Sequence, residues 1–276
     1  MTGSERSDDP EPRDVQGDSI AWREAGPRDA GDVVLLLHGL GGSRISWEPQ
    51  LVDLGRRVRV AAWDLPGYGA SPPLVGPTTF PALADAVVRW ADELGVDRVH
   101  LVGISFGGMI AQYTAAAHHE RVVSLTLLAT SPKFGLDGTE PDAWRAARLA
   151  PLDAGQEPID FADRVLGALA GPHITAEAMA GQRSAMARIT STALRRSIDC
   201  LVTHDSRGVL SQVSAPTAVL VGGLDDETPV AYARAVVDLV PGATLEVVPG
   251  AGHLLNVEAP DAVDAAIVRQ IERSHR

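Results

Sequence analysis

Three residue types that together can cleave an acyl bond stand at separated points of the chain. Ser105 lies in Gly103-Ile104-Ser105-Phe106-Gly107, the adjacent acids Asp225 and Asp226 follow a short apolar run, and His253 sits in Pro249-Gly250-Ala251-Gly252-His253. A serine hydroxyl is un-ionised at neutral pH and attacks a carbonyl carbon well only when a base takes its proton. Histidine is the usual base, and a carboxylate holds its ring in one tautomer. A bare Gly-x-Ser-x-Gly says little, because the Gly and Ser frequencies of this chain would give roughly 0.15 matches by chance. The setting says more. His100-Leu101-Val102 precedes the motif and Gly108-Met109-Ile110-Ala111 follows it, so Ser105 falls where a strand should turn sharply into a helix. Such an elbow exposes the nucleophile, and glycine on either side allows close backbone approach.

Among the eight histidines, His253 directly follows a strand-like run and begins a loop flanked by small residues. His118 and His119 fall at a helix end, where a cation favours the helix dipole. His173, His204 and His275 have no comparable setting. Of the two acids, Asp225 is favoured over Asp226, because it stands three residues after Gly222 and four before Pro229; neighbouring side chains in an extended loop diverge, so only one faces His253. His38-Gly39-Leu40-Gly41-Gly42 closes another apolar run with glycines that permit a tight bend. Its expected service is an oxyanion hole, with the backbone amides of Leu40 and Phe106 as donors; losing one such donor typically costs about 3 kcal/mol in the transition state. His38 itself is read as shaping that loop. Asp64-Leu65-Pro66-Gly67-Tyr68-Gly69 reads as scaffold. No phosphate-loop lysine or dinucleotide fingerprint is present, so no cofactor is expected. No His or Cys pair has zinc-like spacing, so no metal is expected either.

Continuous apolar runs of strand length recur at Val33–Leu37, Val58–Trp63, Val99–Val102, Val122–Leu128, Ala218–Val221 and Thr244–Val248, with Ser19–Glu24 as an edge strand. Segments of helical spacing, such as Phe80–Leu94 and Tyr232–Leu239, separate them. Strands alternating with helices imply a mostly parallel sheet covered on both faces. Residues 132–206 break that rhythm with helix-like pieces at Pro141–Leu149, Phe161–Ala170 and Ala176–Ala187, and read as a helical cap. The core domain is then 18–131 and 207–276. Residues 1–17, almost without apolar side chains, are expected to form a disordered tail.

The chain has 276 residues, 45% of them hydrophobic, and a formal net charge of −12. That length supports one large core. The charge repels phosphate backbones and anionic membrane surfaces, so neither nucleic acid nor membrane is expected as a partner. No apolar stretch approaches the roughly 20 residues of a membrane helix. The lone Cys200 and the absence of a secretory start point to a reducing cytoplasm. A homo-oligomer is compatible with the sequence.

With those motifs in order, the chain resembles the α/β-hydrolase superfamily from about Asp18 to Gln270. The resemblance implies an eight-stranded sheet with a helical cap over the site. Thr228-Pro229 and His253-Leu254-Leu255-Asn256-Val257-Glu258-Ala259-Pro260 look most like 3-oxoadipate enol-lactonases. It also implies a small-molecule ester or lactone substrate cleaved by Ser105, Asp225 and His253. Trp144, Arg145 and Leu254 are the candidate substrate contacts. An anionic lactone would need a local cation, for which Arg145, Arg148, Arg183 and Arg188 are the candidates, with a solvated helix face the plainer reading of each. The same three residues would serve a carbon–carbon bond hydrolase or a cofactor-free perhydrolase, and a ligand receptor with little turnover is the contrasting class. Dehalogenases and epoxide hydrolases carry Asp where Ser105 stands, which sets them aside.

Overall fold

A computed structural model describes residues 11–28 and 31–275. Eight strands form one sheet: β1 (Arg13–Gln16), β2 (Ala21–Ala25), β3 (Val33–Leu37), β4 (Arg59–Trp63), β5 (Val99–Ile104), β6 (Val122–Leu128), β7 (Thr217–Gly222) and β8 (Thr244–Val248). Their spatial order is β1-β2-β4-β3-β5-β6-β7-β8. The first two pairings are antiparallel, and every pairing from β4 onward is parallel. The helices are α1 (Glu48–Leu54), α2 (Phe80–Glu93), α3 (Phe106–Ala117), α4 (Pro141–Asp153), α5 (Ala162–Leu169), α6 (Ala176–Met186), α7 (Ser191–Leu201), α8 (Val230–Leu239), α9 (Leu255–Glu258) and α10 (Pro260–Ser274).

The unbroken apolar runs follow from burial on both faces. Along β3, Val33, Leu35 and Leu37 join the core beneath α2, α3 and α8, whereas Val34 and Leu36 join a second core beneath α1 and α10. A strand with one wet face would have needed a polar residue at every second position. On the α2 side three indoles meet: Trp90 stacks on Trp63 with ring centroids 5.9 Å apart and tilts against Trp22 at 6.5 Å. All three are buried.

The start of the sheet corrects two expectations. Residues 1–10 of the expected tail lie outside the described residues, but Arg13–Gln16 form a strand rather than tail, and they, not β2, make the sheet edge. Apolar periodicity misses β1 because its side chains stay in water and pair by charge. Arg13 bonds Glu24 at 2.5 Å, and Asp14 meets Arg23 and Arg44, both at 3.1 Å. Charged edges of this kind also discourage pairing with another chain.

Between β6 and β7, α4 to α7 form a helical layer; α7 has no counterpart among the expected pieces. The two ends of this insertion are bonded to each other. Lys133 bridges Asp205, Phe134 N donates to His204 O at 2.9 Å, and Ser206 N donates to Pro132 O at 2.9 Å. Arg188, after α6, reaches down to the buried Asp64 carboxylate at 3.3 Å and accepts at its carbonyl from Gly69 N at 3.1 Å. Asp64 also receives the amides of Arg44 and Ala70, so the turn after β4 is scaffold, as expected.

Removing one indole should leave a cavity that the rigid sheet cannot close. Trp90→Ala is expected to cost about 3–5 kcal/mol of unfolding free energy, read from urea denaturation. A loss below about 1 kcal/mol would mean that this cluster is not central to the core.

Candidate functional site

Ser105 occupies a backbone conformation that side chains rarely adopt, φ 53° and ψ −118°, between the end of β5 and the first residue of α3. Holding a non-glycine residue there costs on the order of 1–3 kcal/mol and needs surrounding structure to enforce it. The surroundings do so. Ser105 N donates to Leu128 O at 2.9 Å, and its carbonyl accepts from Thr130 Oγ1 and from Met109 N, both at 2.9 Å. The flanking glycines are required by contact: a Cβ on Gly103 would overlap the Gly107 carbonyl, and one on Gly107 would overlap the Leu37 carbonyl.

The loop after β3 lies against this elbow. A Cβ built on Gly39 would stand 3.4 Å from Ser105 Cβ and 3.9 Å from its Oγ. His38 is buried; its Nε2 accepts from Leu65 N at 3.0 Å, which leaves the ring proton on Nδ1 to donate to Gly39 O at 2.8 Å. Burial also pushes its pKa below the ordinary histidine value. His38 is therefore occupied on both nitrogens by the loop it shapes. Tyr68 Oη donates to Leu40 O at 3.0 Å, fixing the next residue. The Phe106 side chain is fully buried edge-on to Phe80, so only its backbone, in the first turn of α3, is left to face a ligand.

The acid and the histidine come from two loops joined backbone to backbone. Gly223 N donates to Val248 O at 2.8 Å, Leu224 N donates to Ala251 O at 2.9 Å, and a Cβ on Gly222 would overlap the Gly252 carbonyl. This brings Asp225 Oδ2 to 2.9 Å from His253 Nδ1. Asp225 is buried and its other oxygen accepts from Glu227 N and Thr228 N at 3.0 and 2.8 Å, whereas Asp226 is exposed. The carboxylate leaves Nδ1 as donor, and His253 lines the same cavity as Ser105. Burial opposes charge on His253, but the Asp225 carboxylate and its hydrogen bond, with Glu227 and Glu258 beyond, more than offset it, so the pKa stands above the ordinary value. Burial likewise opposes the Asp225 charge, yet the His253 ring and the Thr228 hydrogen bonds hold its pKa down. Both directions describe one coupled pair that favours imidazolium beside carboxylate.

Two partners in this cluster have no signature in residue spacing. Thr228 Oγ1 donates to Asp225 Oδ2 at 2.8 Å and stands 3.3 Å from His253 Nδ1. Glu258 accepts three backbone amides that bracket the histidine: Gly252 N at 2.8 Å, Leu254 N at 3.0 Å and, from the helical layer, Gly171 N at 2.9 Å. His253 N itself donates to Leu169 O at 2.9 Å.

Ser105 and His253 line one cavity of about 360 Å³ roofed by α4 to α7. Its walls are largely apolar, including Trp144, Phe161, Leu166, Met186, Leu194 and Leu254. Leu40 lines it too. Arg145 does not. One residue beyond Trp144 on α4 it points about 100° away, and it pairs with Asp199 at 2.5 Å on the exposed face. Arg148, one helical turn beyond Trp144, does reach the cavity, with its guanidinium 4.9 Å from the Trp144 ring and paired to Glu227 at 3.3 Å. Arg183 pairs with Asp163 and Arg188 with Asp64, so each of the four candidate arginines is engaged by a carboxylate. The charged residues on the cavity lining are Lys133 and Arg148 against Asp137, Asp226 and Glu227.

A profile of the alpha/beta hydrolase family matches residues 34–266. The chain is 33% identical to a pimeloyl-[acyl-carrier protein] methyl ester esterase of Chromobacterium violaceum, over 81% of this chain and 87% of that protein. It is 27% identical to 3-oxoadipate enol-lactonase 2 of Acinetobacter baylyi, over 87% and 88%. Its fold matches the crystal structure of a hydrolase from Pseudomonas aeruginosa PA01 with a TM-score of 0.82 and 26% identity, covering 94% of this chain and 98% of that one. No helix among the described residues is long and apolar enough to cross a membrane.

The amide clamp around His253 can be tested directly. Glu258→Gln keeps one acceptor oxygen but turns an amino group toward donors, leaving buried amides unsatisfied, and should lower unfolding free energy by about 1–3 kcal/mol. A thermal melt indistinguishable from that of the parent protein would show that Glu258 does not hold the loop.

Proposed function

The chain belongs to the alpha/beta hydrolase family, and from that membership and the site geometry we propose that it cleaves a small, neutral carboxylic ester or lactone through an acyl-enzyme on Ser105. The observation that carries this reading is the buried Asp225–His253 hydrogen bond of 2.9 Å, set across one cavity from a serine held at positive φ.

In the proposed reaction Ser105 Oγ attacks the substrate carbonyl carbon while His253 Nε2 takes its proton, with Asp225 stabilising the imidazolium that forms. The negative charge that develops on the carbonyl oxygen is received by the Leu40 and Phe106 amides, the latter at a helix N-terminus where backbone N–H groups lack partners. As the intermediate collapses, the leaving alcohol takes the proton back from His253. In a lactone that alcohol stays tethered to the acyl group. Water then attacks the acyl-enzyme with His253 again as base, releasing the carboxylic acid and restoring Ser105. No step requires a metal or an organic cofactor.

Neutral substrates are favoured by the charges that line the cavity. Three carboxylates (Asp137, Asp226 and Glu227) stand against two cations, of which Arg148 is already paired to Glu227. An anionic lactone would find no uncommitted guanidinium on the cavity lining, where Arg148 is the arginine present and is paired to Glu227. The apolar walls suit a compact hydrocarbon body on the acyl or alcohol side.

Ser105→Ala should lower kcat on p-nitrophenyl acetate by about 10³-fold or more with the fold unchanged. Turnover by that variant at the parental rate would remove Ser105 as nucleophile. A panel of neutral and monoanionic esters and lactones, with burst kinetics on the best substrate, tests the preference for neutral compounds; higher kcat/KM across the anionic members would reverse it.

The pH profile follows from the His253 shift. The base must be neutral, so kcat/KM falls as the pH drops through the His253 pKa. Because that pKa is raised, the acid limb should have its midpoint above the ordinary value of about 6.5. Asp225→Asn should move the midpoint down as well as slow the reaction. An acid limb that stays in place in the variant would separate Asp225 from the titrating group.

A further inference from the structure

The edge of the sheet opposite the cavity, where the parallel strands begin, holds a second convergence of chemistry-bearing side chains. Asp32 immediately precedes β3, His100 is the second residue of β5, and His275 follows α10. Asp32 Oδ1 stands 3.2 Å from His100 Nε2 and 3.0 Å from His275 Nε2. One ligand atom from each of the three lies within 4.8 Å of the others. The chain distances are 68 and 243 residues, so no local spacing pattern could have signalled the group.

Its geometry fits a metal better than a chance meeting of polar groups. Donors each about 2.0 Å from a tetrahedral Zn2+ stand roughly 3.3 Å apart, close to both Asp32 separations. His100 also has the supporting partner that ligating histidines use, since its other ring nitrogen, Nδ1, lies 2.8 Å from the buried Ser124 Oγ. With Nδ1–H donating to Ser124, the Nε2 lone pair faces a carboxylate oxygen, an arrangement that a cation between them resolves. The competing arrangement has Ser124 donating to Nδ1 and Nε2–H donating to Asp32, which satisfies every group without a metal.

We propose that Asp32, His100 and His275 bind one divalent transition-metal ion, with Zn2+ the best chemical match, and that this ion fastens the end of α10 to the beginnings of β3 and β5. Two imidazoles and a carboxylate form a recognised Zn2+ ligand set with one position left for water, and the partial exposure of Asp32 and His275 leaves room for it. The role is structural. The ion would lie at the far end of the strands from Ser105, so its binding is independent of the hydrolytic reading.

The test uses the full chain, freed of any affinity tag and treated with a chelator, titrated with ZnCl2 in a calorimeter and followed by thermal melting. One Zn2+ per chain is expected, with Tm rising by about 5 °C or more at a hundredfold excess over Kd. His275→Ala, at a half-exposed position that the fold tolerates, and Asp32→Asn should each weaken binding at least tenfold. His119→Ala, an exposed histidine beside Glu120, should leave it unchanged. Co2+ should give the intense visible bands of tetrahedral coordination in the parent protein and not in His275→Ala. Absence of stoichiometric binding in the parent protein, or binding that His275→Ala leaves intact, overturns the proposal and leaves Ser124, His100, Asp32 and His275 as a hydrogen-bonded chain.

Discussion

Helix α3 begins so close to the end of β3 that one methyl group on Gly107 would overlap the Leu37 carbonyl. That approach sets the geometry of the site. It pins the first turn of α3 beside the end of β3, where the His38–Leu40 loop begins. It also forces the chain at Ser105 into positive φ, because strand, turn and helix must reverse direction within a few residues. The strain is local, and its support comes from the end of β6: Leu128 accepts the Ser105 amide, and Thr130 just beyond it donates to the Ser105 carbonyl. A flexible loop could present a serine at less conformational cost, but it could not hold the hydroxyl and the neighbouring amides in fixed relation, which is what stabilising a developing oxyanion requires.

The second loop pair answers a different difficulty, that of keeping charge in a buried place. Removing His253 and Asp225 from water disfavours the ionised form of each, and only their mutual attraction and a shell of donors reverse this. The donors are mostly backbone amides. Glu227 N and Thr228 N serve Asp225, while Gly252 N, Leu254 N and Gly171 N converge on Glu258, the last residue of α9, which follows the histidine. Glycine at 222 and 252 follows from the same demand, since amides can converge only where the two backbones touch. One of these amides, Gly171, belongs to the helical layer. The orientation of His253 is thus coupled to how that layer sits on the sheet.

How much of this could be read from the sequence depended on whether the signal was local. The central strands were legible because burial on both faces leaves no room for polar residues, and the Ser105 elbow because its two glycines stand at a fixed short spacing about the serine, although the contact that demands Gly107 is with the distant Leu37 carbonyl. Strand β1 was not, since Arg13 and Asp14 pair by charge, Gln16 is exposed and polar, and no apolar periodicity is left. The preference for Asp225 over Asp226 rested on spacing alone, whereas the hydrogen bond to His253 separates them by direction. Arg145 and Trp144 are both candidate substrate contacts in the sequence, but adjacency along a helix is a rotation of about 100° around it, and the residue that shares the Trp144 face is Arg148. Glu258 and Thr228 stood inside motifs already noticed. Their roles lie in contacts with backbone groups and a carboxylate, and a string of residue types does not record those.

The cap arginines carry the argument about specificity one step further. A guanidinium free in a cavity reads an anionic group with directional, charge-assisted bonds. Here Arg188 is held by Asp64, Arg183 by Asp163, Arg145 by Asp199 and Arg148 by Glu227, so these four cations hold the helical layer together and fasten it to the sheet. On the proposed reading, recognition then falls to Trp144, Phe161, Leu166, Met186 and their neighbours, which discriminate by volume. An apolar wall separates substrates that differ by one methylene by only about 1–3 kcal/mol, far less than a polar site built for a particular hydroxyl or carboxylate can achieve. On that same reading such walls select a size class of acyl compound, and the bond cleaved within that class is the one whose carbonyl they bring beneath the proposed Leu40 and Phe106 donors.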